Sequence, residues 1–278
     1  MPTAAAEKAP ISLAKVGNWE MRYDEDGCNL MGSFGVGREN VLLVISRTAP
    51  SDWFEMKLFG ESFRESNFTK PLTVAFGNKP PIKRVALAGK SATADRLPVL
   101  IVTQLRLDGA DVAETKPDSH PISHITPQQE NAATSITVSI DGGMRYRLET
   151  GSFGPLMAAI RTCTDNLVRH WGYDPQIEAS LVNKPIPSTS PGTWLTLTDY
   201  PRTALAHGTN GYVNFRLDVD DHGAVTGCHI LFRTSPDEFS DLSCALLRKR
   251  ARFEPARDAE NKPVRSFFTN SVRWMTGY

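Results

Sequence analysis

Along the last third of the chain, apolar positions change their spacing from two residues to three or four and back again. From Val213 to Val219, the apolar residues Val213, Phe215, Leu217 and Val219 alternate with Asn214, Arg216 and Asp218. This is the pattern of a strand with one buried face. Asp221-His222-Gly223 supplies turn chemistry, and the chain reverses into a second strand, Val225 to Phe232, with Cys228, Ile230 and Phe232 on one face. Phe239, Leu242 and Leu246 then recur at helical spacing, with Ser235 or Asp237 placed to cap that helix. Arg248, Lys249 and Arg250 suit its negative end and read as a solvated helix terminus. A final run, Val264 to Met275, carries Phe267, Phe268, Val272 and Trp274. It reads as a third strand and a candidate sheet edge.

Upstream, short β-prone runs are separated by Gly, Pro, Ser and Asn clusters: Trp19 to Tyr23, Val41 to Arg47, Phe54 to Phe59, Leu72 to Phe76, Arg84 to Leu87 and Leu97 to Leu107. The polar stretch Asp111 to Thr134, with Pro117, Pro121 and Pro127, reads as a long loop. Ile136, Val138 and Ile140 alternate into Asp141-Gly142-Gly143, and Met144, Tyr146 and Leu148 alternate out, which predicts a hairpin. A helix follows, capped by Ser152, with an apolar stripe of Phe153, Leu156, Ile160, Cys163, Leu167 and Trp171, and stopped by Gly172. The Pro/Ser-rich segment Asn183 to Gly192 reads as a short semi-rigid linker. The expected fold class is therefore α+β. A flexible segment, 1–16, precedes a β-rich domain closed by a helix, 17–175. A linker, 176–194, leads to a small domain, 195–278, with a three-stranded antiparallel sheet and packed helices.

Composition narrows the partners. The 278 residues carry zero formal net charge and 40% hydrophobic residues, which fits a two-domain globular protein and argues against nucleic acid. No run of 18 apolar residues occurs, so no membrane span is expected in this sequence. The start, Met1 to Lys8, lacks the apolar core of a signal peptide and looks like the small-residue start left after one is removed.

Candidate chemistry is sparse. His120 and His124 are four apart, but Pro121 disfavours the helix that would bring them together on a metal. Asp220, Asp221 and His222 sit where a hairpin turn explains them, and His170 suits a helix C-terminus. Gly32-Ser33-Phe34-Gly35-Val36-Gly37 lacks the Lys-Ser/Thr of a phosphate loop, and no Gly-x-Ser-x-Gly occurs. The four cysteines are too scattered for a zinc signature. No catalytic set, metal or cofactor is expected.

The ordered string Tyr200-Pro201, Ala204, Gly208, Gly211, Val213, Asp220 to Gly223, Ser235-Pro236, Phe239, Cys244, Leu247, Arg252-Phe253-Glu254-Pro255-Ala256 and Pro263-Val264 resembles the C-terminal domain of TonB-family energy transducers, over about 80 residues. The resemblance implies a protein or peptide partner, such as the short box of an outer-membrane transporter, taken up by strand addition on the last strand. Ser266, Phe268, Asn270, Val272 and Trp274 would mark one face of that docking strand, and Tyr200 and Pro201 would shape its entrance. Ordinary sheet packing or a homodimer through the last strand fits the same residues equally. TonB-like domains with a cysteine at the position of Cys228 often carry one at that of Cys244. The resemblance thus implies a disulfide, with two buried thiols as the alternative. Cys28 and Cys163 are left, and sequence does not decide whether they pair.

Disulfides belong to oxidising compartments, so the expected location is the periplasm, for an exported protein. A TonB transducer also needs a membrane anchor and a long Pro-rich stalk, and neither is in this sequence. The expectation is thus a periplasmic binding or adaptor protein. The alternatives are a periplasmic hydrolase in the first domain with a TonB-like localising tail, and a homo-oligomeric envelope assembly subunit. Trp19, Asp24 and Cys28, with Cys163-Thr164-Asp165, Leu167 and Trp171-Gly172, are faintly similar to exported bacterial proteins that carry such a tail. That likeness implies no activity.

Overall fold

The computed structural model describes residues 9–65, 67–91, 95–110, 124–140, 143–234 and 236–276. The chain divides into two compact units, one built from residues up to Asp24 with Cys28–Thr164, the other from Glu25–Gly27 with Asp165–Tyr278. His120, Asp141, Gly142 and Ser235 lie outside the described residues.

The first unit is a closed barrel. Its strands are β1 (Ile11–Asp24), β2 (Gly27–Phe34), β3 (Val41–Arg47), β4 (Phe54–Phe59), β5 (Thr69–Phe76), β6 (Ile82–Lys90), β7 (Pro98–Leu105), β8 (Ile136–Ile140) and β9 (Arg145–Glu149). They are ordered β1-β2-β3-β4-β7-β6-β5-β8-β9. The barrel closes where β1 pairs with β9 in parallel, from Ile11↔Tyr146 to Ala14↔Glu149. β1 thus begins inside the segment expected to be flexible.

Alternation decides what fills the barrel. Leu30 and Phe34 of β2, Leu43 and Ile45 of β3, Met56 and Leu58 of β4, Val74 and Phe76 of β5 and Leu100 and Val102 of β7 join Tyr146 and Leu148 of β9 in one buried cluster. Each fully buried apolar side chain of this kind stabilises the fold by about 1.5–3 kcal/mol. Phe153, Met157 and Ile160 enter the same cluster from a helix, α2 (Phe153–His170). Gly32 is required by a close approach, since a Cβ there would lie 2.7 Å from the Trp19 ring. That ring meets Phe34 edge to face at 5.7 Å.

The long loop expected over Asp111 to Thr134 contains a short helix, α1 (Pro127–Ala132). Thr126 and Gln129 form a reciprocal capping box, and Pro127 occupies the first turn, where its missing N–H costs nothing. Buried Glu130 then accepts from Nη1 and Nη2 of Arg161, at 2.5 and 3.0 Å, and ties α1 to α2. Cys28 and Cys163 are joined, fastening β2 to α2.

The second unit has two further helices before its main sheet, α3 (Pro175–Ser180) and α4 (Arg202–Ala206), with a two-residue strand, β10 (Ile186–Pro187), between them. Its sheet is ordered β12-β11-β16, with β11 (Gly211–Val219) central, β12 (Val225–Arg233) on one side and β16 (Ser266–Trp274) on the other, all antiparallel. The helix α5 (Glu238–Arg250) follows β12. Asp237, at its cap position, makes no capping hydrogen bond and pairs with Arg233 instead. Between α5 and β16 lie three short strands, β13 (Phe253–Glu254), β14 (Ala256–Arg257) and β15 (Pro263–Val264).

The segment expected to be a linker is paired. β10 runs antiparallel to β13, Asn183 bridges to Arg257, and the Val182 and Ser188 N–H groups donate to the carbonyls of Arg257 and Arg252, each at 2.9 Å. Proline fixes an extended backbone without an N–H, which suits a short edge strand as well as a linker.

Candidate docking edge

The face of the sheet toward α5 carries two apolar clusters. Trp194, Phe215, Leu217, Val219, Leu247 and Phe253 form one, with Phe268 and Val272 packed against it. Tyr200, Ala204, Val213, Phe239 and Trp274 form the other. In the second, the Tyr200 ring meets Phe239 at 5.7 Å and Trp274 at 5.5 Å edge to face, and Phe239 stacks on Trp274 at 5.3 Å. The polar ends of these rings are satisfied, because Trp274 Nε1 donates to Ser243 Oγ at 3.1 Å and the Tyr200 hydroxyl to the Thr209 carbonyl at 2.7 Å. Gly211 lets Phe239 in, since a Cβ there would stand 2.3 Å from the ring.

Two fastenings hold this layer. Cys228 on β12 is bonded to Cys244 on α5 across 16 positions of sequence, a loop whose closure stabilises the fold by about 3 kcal/mol in the chain-entropy model. Arg250 grips Asp199 in a bidentate pair, at 2.6 and 2.8 Å, and donates to the Trp194 carbonyl at 2.9 Å. The guanidinium holds the Asp199 carboxyl well below the usual carboxylate range. Arg250 is thus an engaged clamp on the segment before α4, where a solvated helix end was expected.

The opposite face is covered at one end by residues 171–178. Phe267 lies between the rings of Trp171 and Tyr173, at 5.3 and 5.2 Å. Asp218 accepts from Arg216 Nε and the Tyr173 hydroxyl, each at 3.1 Å, and contacts His229 Nε2 at 2.8 Å. Burial foremost, then the Asp218 charge, pushes the Tyr173 hydroxyl far up. Arg216 lies under Trp171, 4.2 Å from its ring centre. Ser266 Oγ donates to buried Glu178 at 2.7 Å.

These layers leave β16 one open direction, along its edge. β16 is the last strand of its sheet among the described residues. Tyr212 turns its carbonyl to Thr234, and Asp218 accepts the Thr226 hydroxyl through its carbonyl, so the even positions of β11 face β12. By alternation the odd positions face β16, and their partners there are Phe268, Asn270 and Val272. The backbone groups of Phe267, Thr269 and Ser271 therefore point outward.

Residues 197–276 match the family model of the Gram-negative bacterial TonB protein C-terminal. This segment is a TonB C-terminal domain. Comparison with curated proteins and with solved structures gives no match.

Within the TonB C-terminal domain, the residues expected to meet a partner divide sharply. Tyr200, Pro201, Ser266 and Trp274 are buried, and Phe268 and Val272 are half-buried against the core. Asn270 alone of that set is exposed. Phe268, Val272 and Trp274 pack together into the face that α5 and the segment holding Trp194 and Tyr200 cover, whereas Ser266 turns its hydroxyl to Glu178. What β16 offers outward is backbone. Trp171, Tyr173 and Glu178, which brace the start of β16, went unnoticed in the sequence. Trp171 reads as the end of the stripe on α2, but its contacts with Phe267 and Arg216 place it in the second unit.

Other candidates resolve as structure. The side-chain ligand atoms of Asp220, Asp221 and His222 lie within 4.8 Å of one another, but Asp220 Oδ1 accepts the N–H groups of His222 and Ala224, as an Asp in a tight turn does. In the first unit, Asp52 Oδ2 gathers His124 Nδ1 at 3.0 Å, the Ile125 N–H at 3.2 Å and Arg106 at 3.5 Å. The His124 side chain is 99% exposed, so this cluster fastens the chain before α1 to the barrel. Among the described residues no helix is long and apolar enough to cross a membrane.

Proposed function

We propose that this chain is a periplasmic binding or adaptor protein whose TonB C-terminal domain takes up an extended segment of a protein partner, such as the short box of an outer-membrane transporter, as a fourth strand on β16. The observation that carries the reading is the outward backbone row at Phe267, Thr269 and Ser271 on a strand whose two faces are braced by packed layers. A rigid strand with an open edge binds through its main chain, and it spends no ordering entropy of its own. The family match supports a protein partner. The two disulfides support an oxidising compartment.

The test is photo-crosslinking in envelope extract from position 270 of the full chain, beside Thr269→Pro. Proline at 269 removes an outward N–H and leaves pairing with β11 in place, whereas Asn270→Pro would break that pairing. The expected result is a crosslink to an extended segment of another envelope protein, lost in Thr269→Pro. Crosslinking that ignores the proline overturns strand addition, and a crosslink of the chain to itself identifies β16 as a homodimer edge.

A further inference from the structure

Ser271 belongs to the outward row of β16, yet its N–H is already engaged. It donates at 2.8 Å to Oδ1 of Asn270, whose own backbone pairs inward with Phe215 of β11. Asn270 is exposed, so no packing forces its amide against the edge. Thr269, two positions away in the same row, has no such side-chain cover among the described residues. An uncovered edge strand is a template for any other strand, and proteins blunt such edges with local devices.

We infer that Asn270 is an edge guard, occupying in the free protein the ladder position that a docking strand must take at Ser271, and discriminating against a second copy of this chain. The inference rests on the reading of β16 as the docking edge. Its logic is symmetry. When a foreign segment pairs with β16, its carbonyl displaces one Asn270 amide. When two copies pair through β16 about a two-fold axis, each brings its own guard, and both amides must be displaced. One intramolecular hydrogen bond shifts a binding constant by about 2- to 10-fold. The guard therefore weakens a foreign strand by about that factor and self-pairing by its square, about 4- to 100-fold. The edge stays usable for a partner while the protein stays single.

The experiment uses the full oxidised chain with Asn270→Ala, Asn270→Asp and Asn270→Ala with Thr269→Pro, in two measurements. Amide hydrogen exchange is expected to show Ser271 more protected than Thr269 in the original chain. In Asn270→Ala, Ser271 should exchange at the rate of Thr269, and in Asn270→Asp it should stay protected, because a carboxylate accepts the same bond. Sedimentation equilibrium should show self-association strengthened about 4- to 100-fold in Asn270→Ala, and the gain abolished by the added proline. Ser271 protection unchanged in Asn270→Ala overturns the guard, and so does faster exchange with no gain in association. Loss of partner crosslinking with both results intact would sink the docking reading alone.

Discussion

In the first unit β9 returns to β1 in parallel register, so every strand of that sheet has two neighbours; in the second, the order β12-β11-β16 ends without closing among the described residues. The difference decides what each unit can do. Closure satisfies the barrel's backbone from within and fills its interior with Phe34, Met56, Phe76 and Tyr146. The open sheet packs Trp194, Tyr200, Phe239 and Trp274 behind it, yet turns backbone groups out at Thr269 and Ser271 on β16. Each unit nonetheless uses the same fastening, one disulfide from a strand to a helix.

Removing the fastenings should have the largest effect. The Cys28–Cys163 bond spans 135 positions of sequence and the Cys228–Cys244 bond 16. In the chain-entropy model the first stabilises by about 5 kcal/mol and the second by about 3 kcal/mol. Replacing each pair by Ala and following denaturant unfolding without reductant should show the larger loss for the barrel. A larger loss for Cys228 and Cys244 would mean that the small open sheet depends on its staple more than loop length implies.

A smaller effect should separate the two cores. Gly211→Ala forces a Cβ against Phe239 and should cost the TonB C-terminal domain about 1–3 kcal/mol as overpacking. Near-ultraviolet dichroism should lose the signal of the stacked Phe239 and Trp274 while the barrel's unfolding midpoint stays put. Movement of both would show that the two cores unfold as one.

Local pattern made the central strands legible. Val41–Arg47 and Phe54–Phe59 have the bounds that their apolar runs predict, and β11 and α5 follow from their periods. What failed was non-local or interrupted. β2 was missed because Gly27 and Gly32 break its alternation of Cys28, Leu30 and Phe34, and Gly32 is there to admit Trp19. The helix at Pro127 sits in a polar, proline-containing stretch that reads as loop, although Thr126 and Gln129 spell a capping box. Closure through Ile11↔Tyr146 joins residues far apart in sequence, and no local pattern carries it. At the candidate site, parity predicts one face for Ser266, Phe268, Asn270, Val272 and Trp274; Phe268, Val272 and Trp274 pack into the core, and the Ser266 hydroxyl bonds Glu178. Which face would be covered depended on Trp194 and Tyr200, well upstream, so the docking surface was assigned to side chains that are core.

The gentlest test of how β16 is braced is pH. Glu178 is buried beside Ser266, and burial raises its carboxyl above the ordinary 4.5, with the Ser266 hydrogen bond opposing. A carboxyl raised on folding contributes stability that is fully present below its unfolded value and is lost as pH rises through the folded one. The stability of the second unit should therefore decline as pH climbs from about 4.5 through that raised value, and Glu178→Gln should flatten the slope. Asp199 works the other way in a separate window: its carboxyl is depressed by Arg250, so its contribution is present above the ordinary 3.8 and fades only as the solution becomes strongly acid. Thermal unfolding of the original chain and of Glu178→Gln across that range checks the sign. The barrel has no counterpart to this brace on an open edge, so its unfolding should ignore Glu178→Gln; a slope that survives the substitution would move the titrating brace to another residue.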